Sequence, residues 1–375
     1  MIIAVNTRLL LKDKLEGIGR FTFEILKRIT KNNPEHTFIF IFDRKYDKDF
    51  IFSDNIIPVV VPPQSRHPLL WYIYFEYSVP YVLRKYKVDL FLSTDGWMSL
   101  STKVKTLNVI HDLHYKRHPE FLPYLVKKYY QYFFPRFIKK ANRICTVSEF
   151  SKNEIINTYD IISNKIDVVY NGSRSCFTPI SITEQLRIKN KYTQGEEYFL
   201  FIGPIHPRKN PENLIKAFVK FKEISDSKFK LILVGESMWR RMKISGEVIS
   251  NKYSSDIIFT GRISSKELHL VTSSAFALAY VSFYEGFGIP ILEAMSCNVP
   301  VIASETSSIP EVGGDAVMYI NPYSVNSITE AMLRMIDTPD LRNDLIKKGS
   351  VQLQNFSWDR SADILWKSIL STLES

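Results

Sequence analysis

Glu285-Gly286-Phe287-Gly288-Ile289-Pro290-Ile291-Leu292-Glu293 places two carboxylates around a glycine-rich helix start. Well before it, Pro207-Arg208-Lys209-Asn210 places two cations on a turn. Each motif follows an apolar run and precedes a stretch with helical periodicity. Strand, loop, helix in that order is the βαβ pattern of a parallel sheet. Amides at a helix start favour an anion. Arg208 can hold a phosphate at two points, and Lys209 adds a mobile point charge. Gly286 and Gly288 let the backbone approach a ligand closely. The amides of Phe287, Gly288 and Ile289 can then point at a phosphate or a sugar hydroxyl, and Glu293 can accept hydrogen bonds from a diol. Solvated cations, a tight turn and a favourable charge at a helix start are the plainer readings of these parts taken singly. In combination they fit a nucleotide sugar.

Similar units extend in both directions. Met1–Asn6, Thr37–Phe42, Ile56–Val61, Asp89–Ser93, Lys105–Ile110, Arg143–Val147 and Ile166–Tyr170 read as strands, with a helix from Arg20 to Thr30. The last of them ends at the turn signal Asn171-Gly172. Residues 173–197 are polar and irregular, a linker or a first helix. The pattern then restarts at Tyr198–Gly203 and a helix from Pro211 to Ile224, with proline in the first turn. Lys230–Gly235, Ile257–Thr260, Ala275–Val281, Val299–Ala303 and Ala316–Ile320 continue the second series, and Trp358–Leu373 closes it as an amphipathic helix. The expectation is an α/β chain of two Rossmann-like doubly wound domains, residues 1–172 and 173–355, facing a cleft, with residues 356–375 crossing back to the first. Such sheets bind ligands at the carboxyl ends of their strands.

The 375 residues suit two domains better than one core. A 45% hydrophobic content indicates a globular chain. The formal charge of +10 points to an anionic partner or a lysine-rich surface. Cys145, Cys176 and Cys297 are widely spaced and odd in number, which implies neither a disulfide framework nor a zinc site and suits a reducing cytosol. No run approaches the roughly 20 apolar residues that span a bilayer. Cytoplasmic residence is expected, with peripheral binding to the inner face of the membrane.

Other motifs are weaker. Gly17-Ile18-Gly19-Arg20, between the first strand and helix, lacks the third glycine of a dinucleotide fingerprint, because position 22 is Thr. His111-Asp112 ends a strand, but His114 and His118 make no metal-ligand pattern with it. Asp47-Lys48-Asp49 matches a metal-binding D-x-D string but reads as solvated surface. Asn298, between Cys297 and Val299-Pro300, suits a left-handed helix end. Leu125–Lys140 mixes aromatics with cations, and so does His67–Tyr77 with the Arg84, Lys85 and Lys87 that follow it. Aromatics at helical spacing are more often core, and Pro135 interrupts the first segment. Anchoring on an anionic membrane is the functional reading.

With these residues in place, the chain resembles the retaining glycosyltransferases of family 4, which have the GT-B fold, and most resembles the mannosyltransferase-type branch of bacterial surface-polysaccharide synthesis. The resemblance rests on Gly17-Ile18-Gly19-Arg20, His111-Asp112, Thr146–Lys152, Gly203–Asn210, Glu285–Glu293, Ser308–Ala316 and Phe356-Ser357-Trp358. Asn298 departs from it where the family usually has glycine. The resemblance implies that Arg208 and Lys209 hold the donor diphosphate and that Glu293 binds the ribose hydroxyls. Glu285 and the amides of Phe287–Ile289 would hold the donor sugar, and His111 would approach it from the first domain. Gly17, Ile18 and Gly19 would close over diphosphate and acceptor, Gly203 would belong to the diphosphate loop, and Arg262 and Ile263 would lie near the base. It also implies that no cofactor or metal is required and that the acceptor is a glycan or lipid-linked oligosaccharide, with mannose from a GDP-sugar as the favoured hexose.

Other readings remain open. A UDP- or dTDP-sugar transferase would use the same residues, and a GT-B nucleotide-sugar epimerase would need no acceptor. A nucleic-acid binder is suggested by charge alone, without a stacking motif. A non-catalytic scaffold sits poorly with the intact Arg208, Lys209, Glu285 and Glu293.

Overall fold

The computed structural model describes residues 1–12, 14–236 and 252–374. The chain divides into two compact units, Met1–Asn171 with Ser357–Ser375, and Gly172–Phe356.

The first unit holds a seven-stranded sheet: β1 (Ile2–Asn6), β2 (Thr37–Phe42), β3 (Ile56–Val60), β4 (Leu90–Ser93), β5 (Lys105–Ile110), β6 (Arg143–Thr146) and β7 (Ile166–Val168). Their order across the sheet is β3-β2-β1-β4-β5-β6-β7, and all pairings are parallel. Among its described residues the second unit holds six: β8 (Tyr198–Ile202), β9 (Lys230–Val234), β10 (Ile257–Gly261), β11 (Ala277–Tyr280), β12 (Val301–Ser304) and β13 (Val317–Ile320), in the order β10-β9-β8-β11-β12-β13 and again parallel. Every residue of β8, β11 and β12 is buried. Helices cover both faces of such a sheet, so its central strands are apolar without alternation.

In each sheet the chain moves to one side and then returns to the other side of its first strand. The reversal falls between β1 and β4 in the first unit and between β8 and β11 in the second. A crevice opens there at the carboxyl ends of the strands. The loops leaving β8 and β11 carry Arg208-Lys209 and Glu285.

The C-terminal helix Trp358–Glu374 belongs to the first unit and buries Trp358, Ser361, Ala362, Leu365, Ser368, Ile369 and Thr372, a single stripe at helical spacing. The Trp358 ring meets Phe21 edge-on at 6.3 Å. Arg28 Nε donates to Asp359 Oδ1 at 2.5 Å, and Ser368 Oγ to Asp167 Oδ2 at 2.6 Å.

Two sequence expectations need correction, and a third, left open, is resolved. The Gly17-Ile18-Gly19 segment is no loop: the first helix runs Gly17–Asn32 and takes these residues as its opening turn. Arg20 N already donates to Glu16 O at 2.7 Å. Gly19 is needed for close approach, since a Cβ there would lie 2.7 Å from the Leu9 carbonyl oxygen. Second, Pro135 does not interrupt its segment, because the helix Tyr124–Lys140 runs through it. Phe134, Phe137 and Ile138 are buried on both sides of the proline, and that packing holds the helix across the missing donor. Third, of the two options for residues 173–197 the helix is found, at Ile182–Thr193, capped by Ser181 and ended by left-handed Gln194. Asn298 adopts the left-handed conformation, φ 57°. No described helix is long and apolar enough to cross a membrane. Cys145, Cys176 and Cys297 are all free thiols.

Candidate active site

The loop after β8 is built to present its cations from a rigid turn. His206 accepts from the Arg208 amide at 3.2 Å through Nδ1. Pro207–Lys209 then forms one 3₁₀ turn. Asn210 turns the chain with φ 58°. Its side-chain amide donates to the carbonyls of Val281 at 3.1 Å and Pro322 at 2.7 Å, which ties this loop to the one after β11. The helix Pro211–Ser225 follows.

Lys209 is 8% exposed. Its Nζ donates to Glu285 Oε1 at 2.5 Å and to the Tyr280 hydroxyl at 3.1 Å. Gly203 lies beside the lysine stem, where a Cβ would sit 3.4 Å from Lys209 Cε. Arg208 Nη1 donates to Glu285 Oε2 at 3.1 Å and to the Tyr284 carbonyl at 2.7 Å. Both oxygens of Glu285 therefore meet cations. The Glu285 amide donates to Ser307 Oγ at 3.0 Å, and Ser308 Oγ donates to the carbonyls of Glu285 and Phe287.

Burial alone would push the Glu285 carboxyl up. The charges of Lys209 and Arg208 outweigh it and hold the group below its ordinary range. Burial, reinforced by the Glu285 charge, pushes the Tyr280 phenol well above its usual value. At neutral pH the group is thus an ionised carboxylate between two cations, beside a neutral phenol.

Gly288 stands at φ 127° immediately before the helix Ile289–Ser296, a backbone that only glycine adopts without strain. Gly286, Phe287 and Ile289 flank it on the same turn. Glu293 lies farther along the helix and is buried. Its Oε1 accepts from Arg174 Nε at 2.5 Å. Arg262 and Ile263 follow β10, at the edge of the sheet and two strands from β8.

The remaining sequence-selected residues lie in the first unit. His111 follows β5; its Nε2 donates to the Thr94 carbonyl at 2.8 Å, since a carbonyl can only accept. Burial pushes its pKa down, against the opposing pull of that hydrogen bond. The neutral ring then carries its lone pair on Nδ1. Phe21, on the helix opened by Gly17, Ile18 and Gly19, meets the His111 ring edge-on at 5.0 Å. Asp112 instead caps His114, accepting from its amide at 3.0 Å. Asp47 pairs with Lys12 at 2.7 Å. Among the described residues no group of three or more His, Cys, Asp or Glu is arranged to hold a metal.

The structure thus brings Arg208, Lys209 and Glu285 into one ion cluster and sets Glu293 in a separate ion pair. Sequence reasoning missed Tyr280, whose strand-end position was the available signal, and Ser307, and it gave Ser308 no role beyond its place in the motif Ser308–Ala316. It also missed Arg174, which lies in a stretch without periodicity.

Comparison with known proteins agrees with this layout. Residues 15–173 match the family described as Glycosyltransferase Family 4, and residues 182–352 match Glycosyl transferases group 1. The chain is 29% identical over 366 residues to O-antigen chain mannosyltransferase B of Escherichia coli, covering 93% of this chain and 94% of that protein. It is 29% identical over 286 residues to O-antigen chain mannosyltransferase RfbU of Salmonella typhimurium, covering 76% of each. Among solved structures, sucrose-phosphate synthase from Thermosynechococcus elongatus superposes with a TM-score of 0.80 at 18% identity, over 99% of both chains. At that identity the likeness speaks for the fold alone.

The cluster generates a pH prediction. Glu285 has a folded pKa below its unfolded one, so its contribution is complete above the unfolded value and is lost as pH falls through the folded value. Glu285→Gln leaves two cations without their counter-charge and should cost about 3–5 kcal/mol at neutral pH. In urea denaturation the gap between wild type and variant should narrow as pH falls below 4.5, the ordinary glutamate value. A gap that stays constant into acid contradicts the ion cluster.

The two family matches together account for most of both units, and the chain belongs to the family 4 glycosyltransferases, with their GT-B fold of two Rossmann-like domains.

Proposed function

We propose that this glycosyltransferase is a retaining, metal-independent hexosyltransferase that moves mannose from GDP-mannose to a glycan or lipid-linked oligosaccharide in cell-surface polysaccharide synthesis. The observation that carries the mechanism is the clamp of Lys209 and Arg208 on Glu285 beside the β8/β11 crevice. The mannosyl and polysaccharide assignments draw on the two O-antigen mannosyltransferases named above.

Lys209 and Arg208 take the charge that accumulates on the diphosphate as the bond from the sugar C1 to the phosphate oxygen breaks. The electron pair of that bond leaves with the phosphate. The acceptor hydroxyl attacks the oxocarbenium-like carbon on the face just vacated, and its proton passes to a phosphate oxygen. Protein cations thus do the work of a divalent metal, and positioning supplies much of the rest. Glu285 is a poor covalent nucleophile, because both its oxygens are held by cations. It positions the cations and the donor sugar. The amides of Phe287, Gly288 and Ile289 hold sugar and phosphate oxygens, Glu293 takes the ribose hydroxyls, and Arg262 and Ile263 border the base. His111 contacts the donor sugar. Gly17–Gly19 serve diphosphate and acceptor from a helix N-terminus.

The reading includes cytoplasmic residence and attachment to an anionic membrane face. Leu69, Tyr72, Tyr77, Tyr81, Tyr124, Leu125 and Tyr132 of the first unit are exposed, Tyr124 by 70%. Tyr72 meets Phe133 at 6.0 Å, which joins the two aromatic segments. Arg136 lies over Tyr132 and Lys128 over Tyr124. Apolar rings beside cations suit the interface of an anionic bilayer.

Two measurements test this reading. A nucleoside diphosphate at 100 times its Kd should stabilise the protein by about 2.7 kcal/mol. GDP, rather than UDP, dTDP or ADP, is expected to raise Tm, and EDTA should not abolish the rise. A rise with UDP or dTDP alone overturns the mannose assignment, and dependence on a divalent ion overturns the metal-free mechanism. Co-sedimentation with phosphatidylglycerol vesicles at low salt, weakening as salt rises, is expected of membrane attachment; absence of binding removes that part.

A further inference from the structure

Arg174 has no role in the chemistry above, yet it makes one of the best-buried ion pairs of the second unit. Its Nε lies 2.5 Å from Glu293 Oε1, with the two side chains 11% and 3% exposed. Its guanidinium carbon sits over Phe177, 4.2 Å from the ring centroid. The surrounding segment is fastened on both sides. Ser296 Oγ donates to Ser173 Oγ at 2.8 Å. The Thr178 carbonyl accepts from Ser273 Oγ at 2.9 Å and from His269 Nε2 at 2.8 Å. The arginine is therefore held against the same helix that carries Glu293.

A carboxylate that grips ribose raises an electrostatic problem. In a nucleoside diphosphate one methylene separates the ribose ring from the first phosphate. A lone carboxylate on the ribose hydroxyls would stand close to two phosphate charges of its own sign, in a setting where like charges repel far more than in water. The pairing with Arg174 removes that difficulty. The net charge of the pair is zero, and the bond to Oε1 fixes the plane of the carboxylate.

We propose that Arg174 is a positioning residue that neutralises and orients Glu293, so that the carboxylate accepts the ribose hydroxyls of a nucleoside diphosphate without repelling its phosphates. The proposal rests on the reading of Glu293 as the ribose ligand. It has a signature that plain packing lacks: loss of Arg174 should weaken a charged nucleotide more than the uncharged nucleoside.

The test is titration calorimetry on the full chain with GDP, UDP, dTDP and ADP. The tightest binder is carried forward with its parent nucleoside and its 2′,3′-dideoxy form. Arg174→Met should weaken the diphosphate by at least about tenfold, the scale of one charged contact, and the nucleoside by less than about threefold. Arg174→Lys, which keeps the charge, should stay within about threefold of wild type for both. The double variant Arg174→Met/Glu293→Gln leaves no buried charge unpaired and should bind the diphosphate better than Arg174→Met alone. If Arg174→Met does not fold, the double variant carries the comparison and should show the wild-type ratio of diphosphate to nucleoside affinity. Equal losses for nucleoside and diphosphate, or no loss for either, overturn the proposal. Glu293→Gln tests the underlying reading separately: it should erase the preference for the nucleotide over its dideoxy form. A preference that survives in Glu293→Gln ends the ribose reading whatever Arg174→Met does. If none of the four nucleotides binds, the donor-site reading itself falls.

Discussion

A carboxylate almost out of reach of water sits between two cations at the point where the second sheet reverses its strand order. Separating such a pair is costly, because a buried charge without its partner loses solvation and regains nothing. The surrounding loops therefore act as one body. Asn210 joins the loop after β8 to the carbonyls of Val281 and Pro322. Ser307 and Ser308 brace the backbone on either side of Glu285. The sheet supplies the crevice, and the ion cluster determines what the crevice can hold. On the proposed mechanism, two cations fixed by a carboxylate stand in place before a diphosphate would leave, so little reorganisation would be needed as charge develops there.

The second ion pair follows similar logic at lower charge. Glu285 faces two cations and leaves a net positive cluster, suited to phosphate. Glu293 faces one and leaves a neutral pair, suited to hydroxyls. Two carboxylates of one nine-residue motif thus acquire different electrostatic characters from their partners, and none of the three partners lies within the motif itself. Tyr280, kept neutral by burial and by Glu285, adds a hydroxyl to the first cluster without adding charge.

Much of this was legible in the sequence. Among the described residues all thirteen strands lie where apolar runs placed them, because the strands of a doubly covered parallel sheet carry a continuous apolar signal. The glycine at 288 and the proline at 290 marked a helix start, and one stands at the helix there. The chemistry of Arg208, Lys209 and Glu285 was read as contact with a ligand, but their contact with one another was not. That pairing depends on β8 and β11 lying side by side, a tertiary fact that local patterns do not encode. Arg174 was invisible for the same reason, since its partner lies 119 positions away. Gly17–Gly19 was misread because glycine is the usual mark of a loop. Here Gly19 serves a helix that passes against the Leu9 carbonyl. Pro135 was misread as a helix breaker where buried aromatics on both sides carry the helix through.

The most direct test of the account is the release of nucleoside diphosphate from GDP-mannose, UDP-glucose and dTDP-rhamnose, with a lipid-linked oligosaccharide extract as acceptor. Wild type and Glu285→Gln would be compared in EDTA, below the melting transition of the variant. The variant should still bind the nucleoside diphosphate within about tenfold of wild type, while turnover falls by about 100-fold or more, the scale of losing one preorganised electrostatic element. A variant that turns over close to wild type would contradict the claim that the ion cluster at the β8/β11 crevice is the catalytic centre.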